Sequence, residues 1–211
     1  DNVSVKEITQ GSDFEFTRST TGTRINEDGY IEDVPYNLAT YSEDFSQWTK
    51  QGAGTGSVPV LTSGYISPDG TNNAYKVSFN KGTGTTTSDL SILSSNAWSA
   101  QSNTASFYIK ADSPQKIVFR NSTNWVLVNV TTEWQRVSKT DTGNSLQLGL
   151  RDGYGIPNVP NTATVFLWGA QAVKGDQPKD YLPTTDRLNL PRLNYPVYGG
   201  CPSLLVEPQG T

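Results

Sequence analysis

Short runs of alternating apolar and polar residues recur between Gly, Asn, Pro and Ser from Asn37 to about Thr185, and no stretch longer than about ten residues keeps a helical period. The clearest runs cover residues 74–79, 89–93, 105–110, 116–120, 125–130, 135–140, 145–150 and 162–173. In Ser106-Phe107-Tyr108-Ile109-Lys110 and in Val126-Leu127-Val128-Asn129-Val130, every second side chain falls on one face, as a half-buried strand requires. Many strands without intervening helices predict an all-β fold, an antiparallel β-sandwich, and at this size a jelly roll. Residues 42–48 are the one candidate for a helical turn.

Composition supports β structure and removes several chemistries. Hydrophobic residues make up 34% of the 211 and charged residues 17%, and Thr, Ser, Asn and Gly dominate the polar remainder. There is no His and a single Cys, so a Ser-His-Asp triad, a Cys-His pair, a His-based metal site and an internal disulfide are all excluded within the chain. Cys201 stands in Gly199-Gly200-Cys201-Pro202 with no base or cation cluster to lower its pKa, and reads as a packed or idle thiol. The net charge of −4 and the scattered Lys and Arg give no footprint for a phosphate backbone, so nucleic acid is not an expected partner. No apolar run approaches the ~20 residues of a membrane span, and no membrane partner is expected.

The flanks read differently from the middle. Val3-Ser4-Val5-Lys6-Glu7-Ile8 alternates like a strand without an upstream partner, and residues 1–8 are expected to close a preceding module. Residues 9–36 form a hairpin-like connector around the turn signal Asn26-Glu27-Asp28-Gly29, residues 37–185 the sandwich, and residues 186–211 a Pro-rich connector in which Leu204-Leu205-Val206 is an isolated strand. Asp1-Asn2 begins neither a signal peptide nor a chain with an initiator Met, so an excised piece is expected. The echo between residues 1–6 and 168–174 suggests tandem modules.

Several segments carry a resemblance. The run from Asn37 to Thr49, Asn-Leu-Ala-Thr-Tyr-Ser-Glu-Asp-Phe-Ser-Gln-Trp-Thr, resembles the opening of the carbohydrate-binding-module-like jelly roll found in tailed-bacteriophage tail and head fibre proteins. Ser67-Pro68-Asp69-Gly70-Thr71-Asn72-Asn73-Ala74, Phe166-Leu167-Trp168-Gly169-Ala170-Gln171 and Asp180-Tyr181-Leu182-Pro183-Thr184-Thr185 follow in the same order. Residues 16–26 with Gly29-Tyr30-Ile31-Glu32, and Pro191-Arg192-Leu193-Asn194-Tyr195 with residues 201–209, look like that family's connectors. Where the chain reaches Gly210-Thr211, the family pattern would run into another Asn-Leu opening. The resemblance implies a non-catalytic module on a virion surface, attaching to a host-surface glycan. Its further partners would be other virion protein copies or flanking domains, in an arrangement compatible with a homo-oligomer. A purely structural module for spacing, decoration or oligomerisation is the alternative.

A glycan site needs aromatic faces for sugar C–H groups and amide or guanidinium partners for hydroxyls. Of the five tryptophans, Trp48 and Trp168 sit in the opening and closing motifs and read as packing, and Trp134 reads as buried at the start of a strand. Trp98 and Trp125 follow polar loops and are expected to be exposed. With Arg120, Asn124, Gln147, Arg151 and Tyr154 they form the candidate site. Related jelly rolls hold a calcium ion, for which Glu43, Asp44 and Asp180 are the nearest carboxylates. The closing strand lacks the acidic pair such a site needs, so neither a metal nor a cofactor is predicted. Paired carboxylates for glycoside hydrolysis are the remaining catalytic chemistry, but the acidic residues fall in turn contexts such as Glu27-Asp28-Gly29, Asp69-Gly70 and Asp141-Thr142-Gly143.

Overall fold

A computed structural model describes residues 22–26, 28–34, 36–122, 124–156, 158–186, 193–196 and 201–204. The chain divides into two compact units, one of residues 37–186 and one of residues 1–36 with 187–211. The leading strand expected at residues 3–8, the run at 14–17 and most of the last connector lie outside the described residues.

Within the larger unit ten strands form two five-stranded sheets. In chain order, after the hairpin of β1 (Thr23–Ile25) and β2 (Ile31–Asp33) in the smaller unit, they are β3 (Thr49–Ala53), β4 (Ser57–Tyr65), β5 (Ala74–Asn80), β6 (Leu90–Ser94) and β7 (Gln101–Lys110). Then come β8 (Gln115–Arg120), β9 (Val126–Val130), β10 (Gln135–Gly143), β11 (Gln147–Arg151) and β12 (Thr162–Lys174). One sheet runs β10-β7-β12-β5-β4 and the other β3-β6-β11-β8-β9, with every pairing antiparallel.

The pairing is nested: β5 with β12, β6 with β11, β7 with β10 and β8 with β9. A long antiparallel ribbon folded over into two sheets gives this order, which makes the sandwich a jelly roll. All eight of these strands lie where the alternating runs predicted them. The edge strands β3 and β4 were not predicted. Residues 42–48 supply a short 3-10 turn, Phe45–Gln47, capped by the Asp44 carboxylate accepting from the Ser46 amide.

Alternation sets what is inside. Val77 and Phe79, Ala105, Phe107 and Ile109, and Ala163, Val165 and Leu167 line the inner face of one sheet; Ile117, Phe119, Leu148 and Leu150 line the other, all buried. Phe107 and Phe119 meet edge-on across the gap, ring centroids 5.1 Å apart. Such a pair adds about 1 kcal/mol to the ~2 kcal/mol that burying each ring supplies.

The opening and closing motifs of the resemblance interlock. The ladder of β12 with β7 shifts register between Trp168 and Gln171, and this bulge turns the Ala170 carbonyl out of the ladder. The buried Asn37 carboxamide takes up the freed groups: its Nδ2 donates to the Ala170 and Leu182 carbonyls (2.9 and 3.0 Å), and its Oδ1 accepts from the Ala39 and Ala172 amides (both 2.9 Å). Ser42 completes the clamp, its hydroxyl donating to the Thr184 carbonyl and accepting from the Thr184 amide.

In the smaller unit, β1 and β2 pair around a turn that the Asn26 side chain closes by accepting from the Asp28 and Tyr30 amides. Two-residue strands β13 (Leu193–Asn194) and β14 (Ser203–Leu204) pair with each other.

Candidate functional site

The sheet β3-β6-β11-β8-β9 has an outward face fixed by its register. Phe119 pairs with Leu148 and Val118 with Gly149, so with Phe119 and Leu148 in the core, Lys116, Val118 and Arg120 share the outward face with Gln147 and Arg151. Across β9, Val126 pairs with Phe119, which sets Trp125 opposite Arg120 and Leu127 beside Val118.

Five candidate residues converge here. Arg120 lies over the Trp125 indole, 4.8 Å from its Cζ to the ring centroid, and its Nε donates to Gln147 Oε1 at 2.9 Å. Arg151 comes from the other end of β11, its Cζ 5.9 Å from the same indole centroid and 5.1 Å from that of Tyr154. Its Nε donates to the Thr87 carbonyl at 3.0 Å. Cation–π stacking of this kind contributes about 0.5–2 kcal/mol per pair. Burial, followed by the charge of Arg151, lowers the Arg120 guanidinium pKa, while Tyr154 acts the other way. The guanidinium nevertheless stays charged, because arginine does not deprotonate in proteins.

Tyr154 is 52% exposed and sits between Gly153 and Gly155 with a φ of 57°, a left-handed conformation that costs a tyrosine about 1–3 kcal/mol. The loop that holds it is tied down by Asp152, whose carboxylate pairs at 2.6 Å with the buried Lys81 ammonium.

Two expectations about exposure are corrected. Trp125 is only 6% exposed, because Arg120 and Arg151 cover its ring; its polar sequence neighbours gave the opposite impression. Its indole N–H is buried and has no hydrogen-bond acceptor among the described residues. Trp98 is half-buried and lies apart from the stack: its backbone amide donates to the Asn144 carbonyl and its Nε1 to the Gly143 carbonyl at 3.0 Å. Trp134, expected inside, is half-exposed with the Lys110 ammonium 5.2 Å from its ring centroid. Trp48 and Trp168 are buried, the latter on the opposite sheet, edge-on to Tyr108 and tilted against Tyr181. Asn124 is exposed beside Trp125 and bonds to none of the other four.

Sequence reading missed the supports of this face. The apolar floor of Val118 and Ile92, and the Lys81–Asp152 tether, involve residues far apart in the chain with no local signal. Two of the three carboxylates considered for calcium are otherwise engaged: Glu43 accepts from the Tyr181 hydroxyl and the Asn73 side-chain amide, and Asp44 from Ser46, Gln47 and the Tyr75 hydroxyl; Asp180 is exposed, with its backbone carbonyl accepting from Gln171. Burial raises the Glu43 pKa above the usual range. It acts the same way at Asp44, where the hydrogen bonds from Ser46 and Tyr75 outweigh it and lower the pKa. Among the described residues no group of three or more Cys, Asp or Glu is placed to hold a metal.

No protein-family profile matches the chain, and no curated protein matches it in sequence. Solved structures do resemble its fold. A family 11 carbohydrate-binding module of a Clostridium thermocellum cellulosomal cellulase is 11% identical with a TM-score of 0.39, over 77% of this chain and 100% of that one. A CBM4 module is 18% identical with a TM-score of 0.34, over 56% and 87%. The enzymatically active domain of bacteriophage CBA120 tailspike protein 4 is 9% identical with a TM-score of 0.37, over 65% of this chain and about a fifth, 21%, of that one. The jelly-roll assignment itself rests on this chain's own strand pairing.

Proposed function

We propose that the chain is a glycan-binding jelly-roll module, carried on a virion surface fibre and used for attachment to host-surface carbohydrate. The observation that carries the binding half is the convergence of Arg120, Trp125, Gln147, Arg151 and Tyr154, from two strands and two loops, on one outward face. Guanidinium and amide donors can hold sugar hydroxyls there, and the exposed Tyr154 ring offers a face for sugar C–H groups. The fibre half is supported by the order of the opening, middle, closing and connector motifs along the sequence.

A glycan-array screen followed by calorimetry on the wild type, Tyr154→Ala and Gln147→Ala tests the binding half. Affinity is expected to fall about tenfold or more in either variant, the ~1.4 kcal/mol of a lost stack or hydrogen bond. A wild-type chain that binds no glycan overturns it. The burial of Trp125 under two arginines favours a second reading, a purely structural module in which the stack only packs the face. On that reading both variants change stability alone.

A further inference from the structure

Given the glycan-binding reading on which it rests, we infer that this face takes an acidic carbohydrate, with a sugar-borne carboxylate held between Arg120 and Arg151. The two guanidiniums cover one indole, yet among the described residues neither is paired with a carboxylate. Asp152, the acidic residue next to Arg151 in the chain, is taken by Lys81. Two like charges gathered without a counter-ion oppose each other in the free protein, and an arriving anion relieves both.

The hydrogen-bonding inventory points the same way. Among the described residues each arginine spends only its Nε on the protein, Arg120 on Gln147 and Arg151 on the Thr87 carbonyl, so there the Nη groups of both forks are left to donate. Gln147 uses its oxygen to accept from Arg120, which leaves its NH2 as a donor. A face that presents donors and two positive charges selects a group that only accepts, and a planar carboxylate matches the guanidinium fork in two parallel bonds. A neutral sugar hydroxyl satisfies one such donor and relieves no charge. With a net charge of −4 on the whole chain, a general affinity for polyanions is not the explanation.

The test is retention of the full chain in affinity electrophoresis on polygalacturonate, alginate, hyaluronan and polysialic acid, each beside its carboxyl-methylated form and a panel of neutral polysaccharides. Binding to at least one acidic polymer is expected, with loss of about tenfold or more on esterification of the same polymer. The same loss is expected in Arg120→Gln and Arg151→Gln, and none in Lys76→Gln on the opposite sheet; a melting curve on each variant checks folding. The esterification arm uses only the wild type, so an unfolded variant does not blunt the test. Equal binding to the esterified polymer, or binding confined to neutral glycans, overturns the acidic ligand and leaves the glycan-binding reading standing. No binding to any polysaccharide overturns both.

Discussion

The Lys81 ammonium, 1% exposed, is held at 2.6 Å by the Asp152 carboxylate, with the Gly84 carbonyl and Asn161 Oδ1 as its other acceptors at 2.9 and 3.2 Å. One partner lies just after β5 and the other just after β11, so the pair pins the Tyr154 loop to the loop between β5 and β6. A buried cation stripped of its counter-ion costs far more than a pair replaced by apolar atoms. Asp152→Ala is therefore expected to lower unfolding free energy by about 3–5 kcal/mol, and Lys81→Met by clearly less. Urea unfolding followed by tryptophan fluorescence checks this, since all five tryptophans lie within residues 37–186.

Asn37 satisfies four backbone groups at once, so its loss leaves the Ala170 and Leu182 carbonyls and the Ala39 and Ala172 amides without partners. Asn37→Ala is expected to destabilise the sandwich by about 3–5 kcal/mol, several times the net worth of one hydrogen bond. Hydrogen exchange should show early opening at the end of β12 that carries the bulge.

The sequence made the eight strands of the nested ribbon legible because each puts an apolar residue inside at every second position. It hid β3 and β4 for a physical reason: Thr49–Ala53 buries no side chain, and Ser57–Tyr65 contains Pro59 and Gly64 and exposes Val58 and Val60. The candidate site was legible as residue types, Arg, Gln, Trp and Tyr near strand ends. Its geometry was not, since Arg120 meets Gln147 only through the β8 and β11 ladder, and Trp125 is covered by an arginine from a strand that is not its sequence neighbour. A polar loop before a tryptophan says nothing about what other strands lay over it.

Asp89 gives the fold an acid-sensitive point. Its carboxylate accepts from the Thr86 hydroxyl and amide and from the Thr55 amide and hydroxyl, at 2.7 to 2.9 Å. These bonds, that of the Thr86 hydroxyl first, hold its pKa well below the usual range. In the unfolded chain the group titrates near ~3.9. Above that pH the stabilisation is complete; as pH falls the unfolded state takes up the proton first, and stability is lost down to the depressed folded pKa. Asp89→Asn, which loses two acceptor bonds, is expected to be less stable at pH 7 but to lose less of its stability between pH 5 and 2.5 than the wild type, roughly the window set by that reference value. Parallel urea titrations across this range measure the difference, and equal slopes would contradict it.

Gly149 stands between Gln147 and Arg151 along β11, paired with Ile92 on one side and Val118 on the other. Its φ of 148° is one that a side-chain-bearing residue rarely adopts, and a methyl there would run into the Ser91 carbonyl oxygen of the neighbouring strand. Gly149→Ala must therefore push β6 and β11 apart or twist the strand, at a cost of about 1–3 kcal/mol. Gly64→Ala, at φ 94° on β4 where an added methyl meets nothing within 4 Å, carries the backbone penalty without the clash and is expected to cost less. Because the displaced strand carries both Gln147 and Arg151, Gly149→Ala should also weaken glycan binding at temperatures where it remains folded, whereas Gly64→Ala should not. Calorimetry on the two variants well below their melting temperatures distinguishes a face that must be built to fit its ligand from one that merely packs.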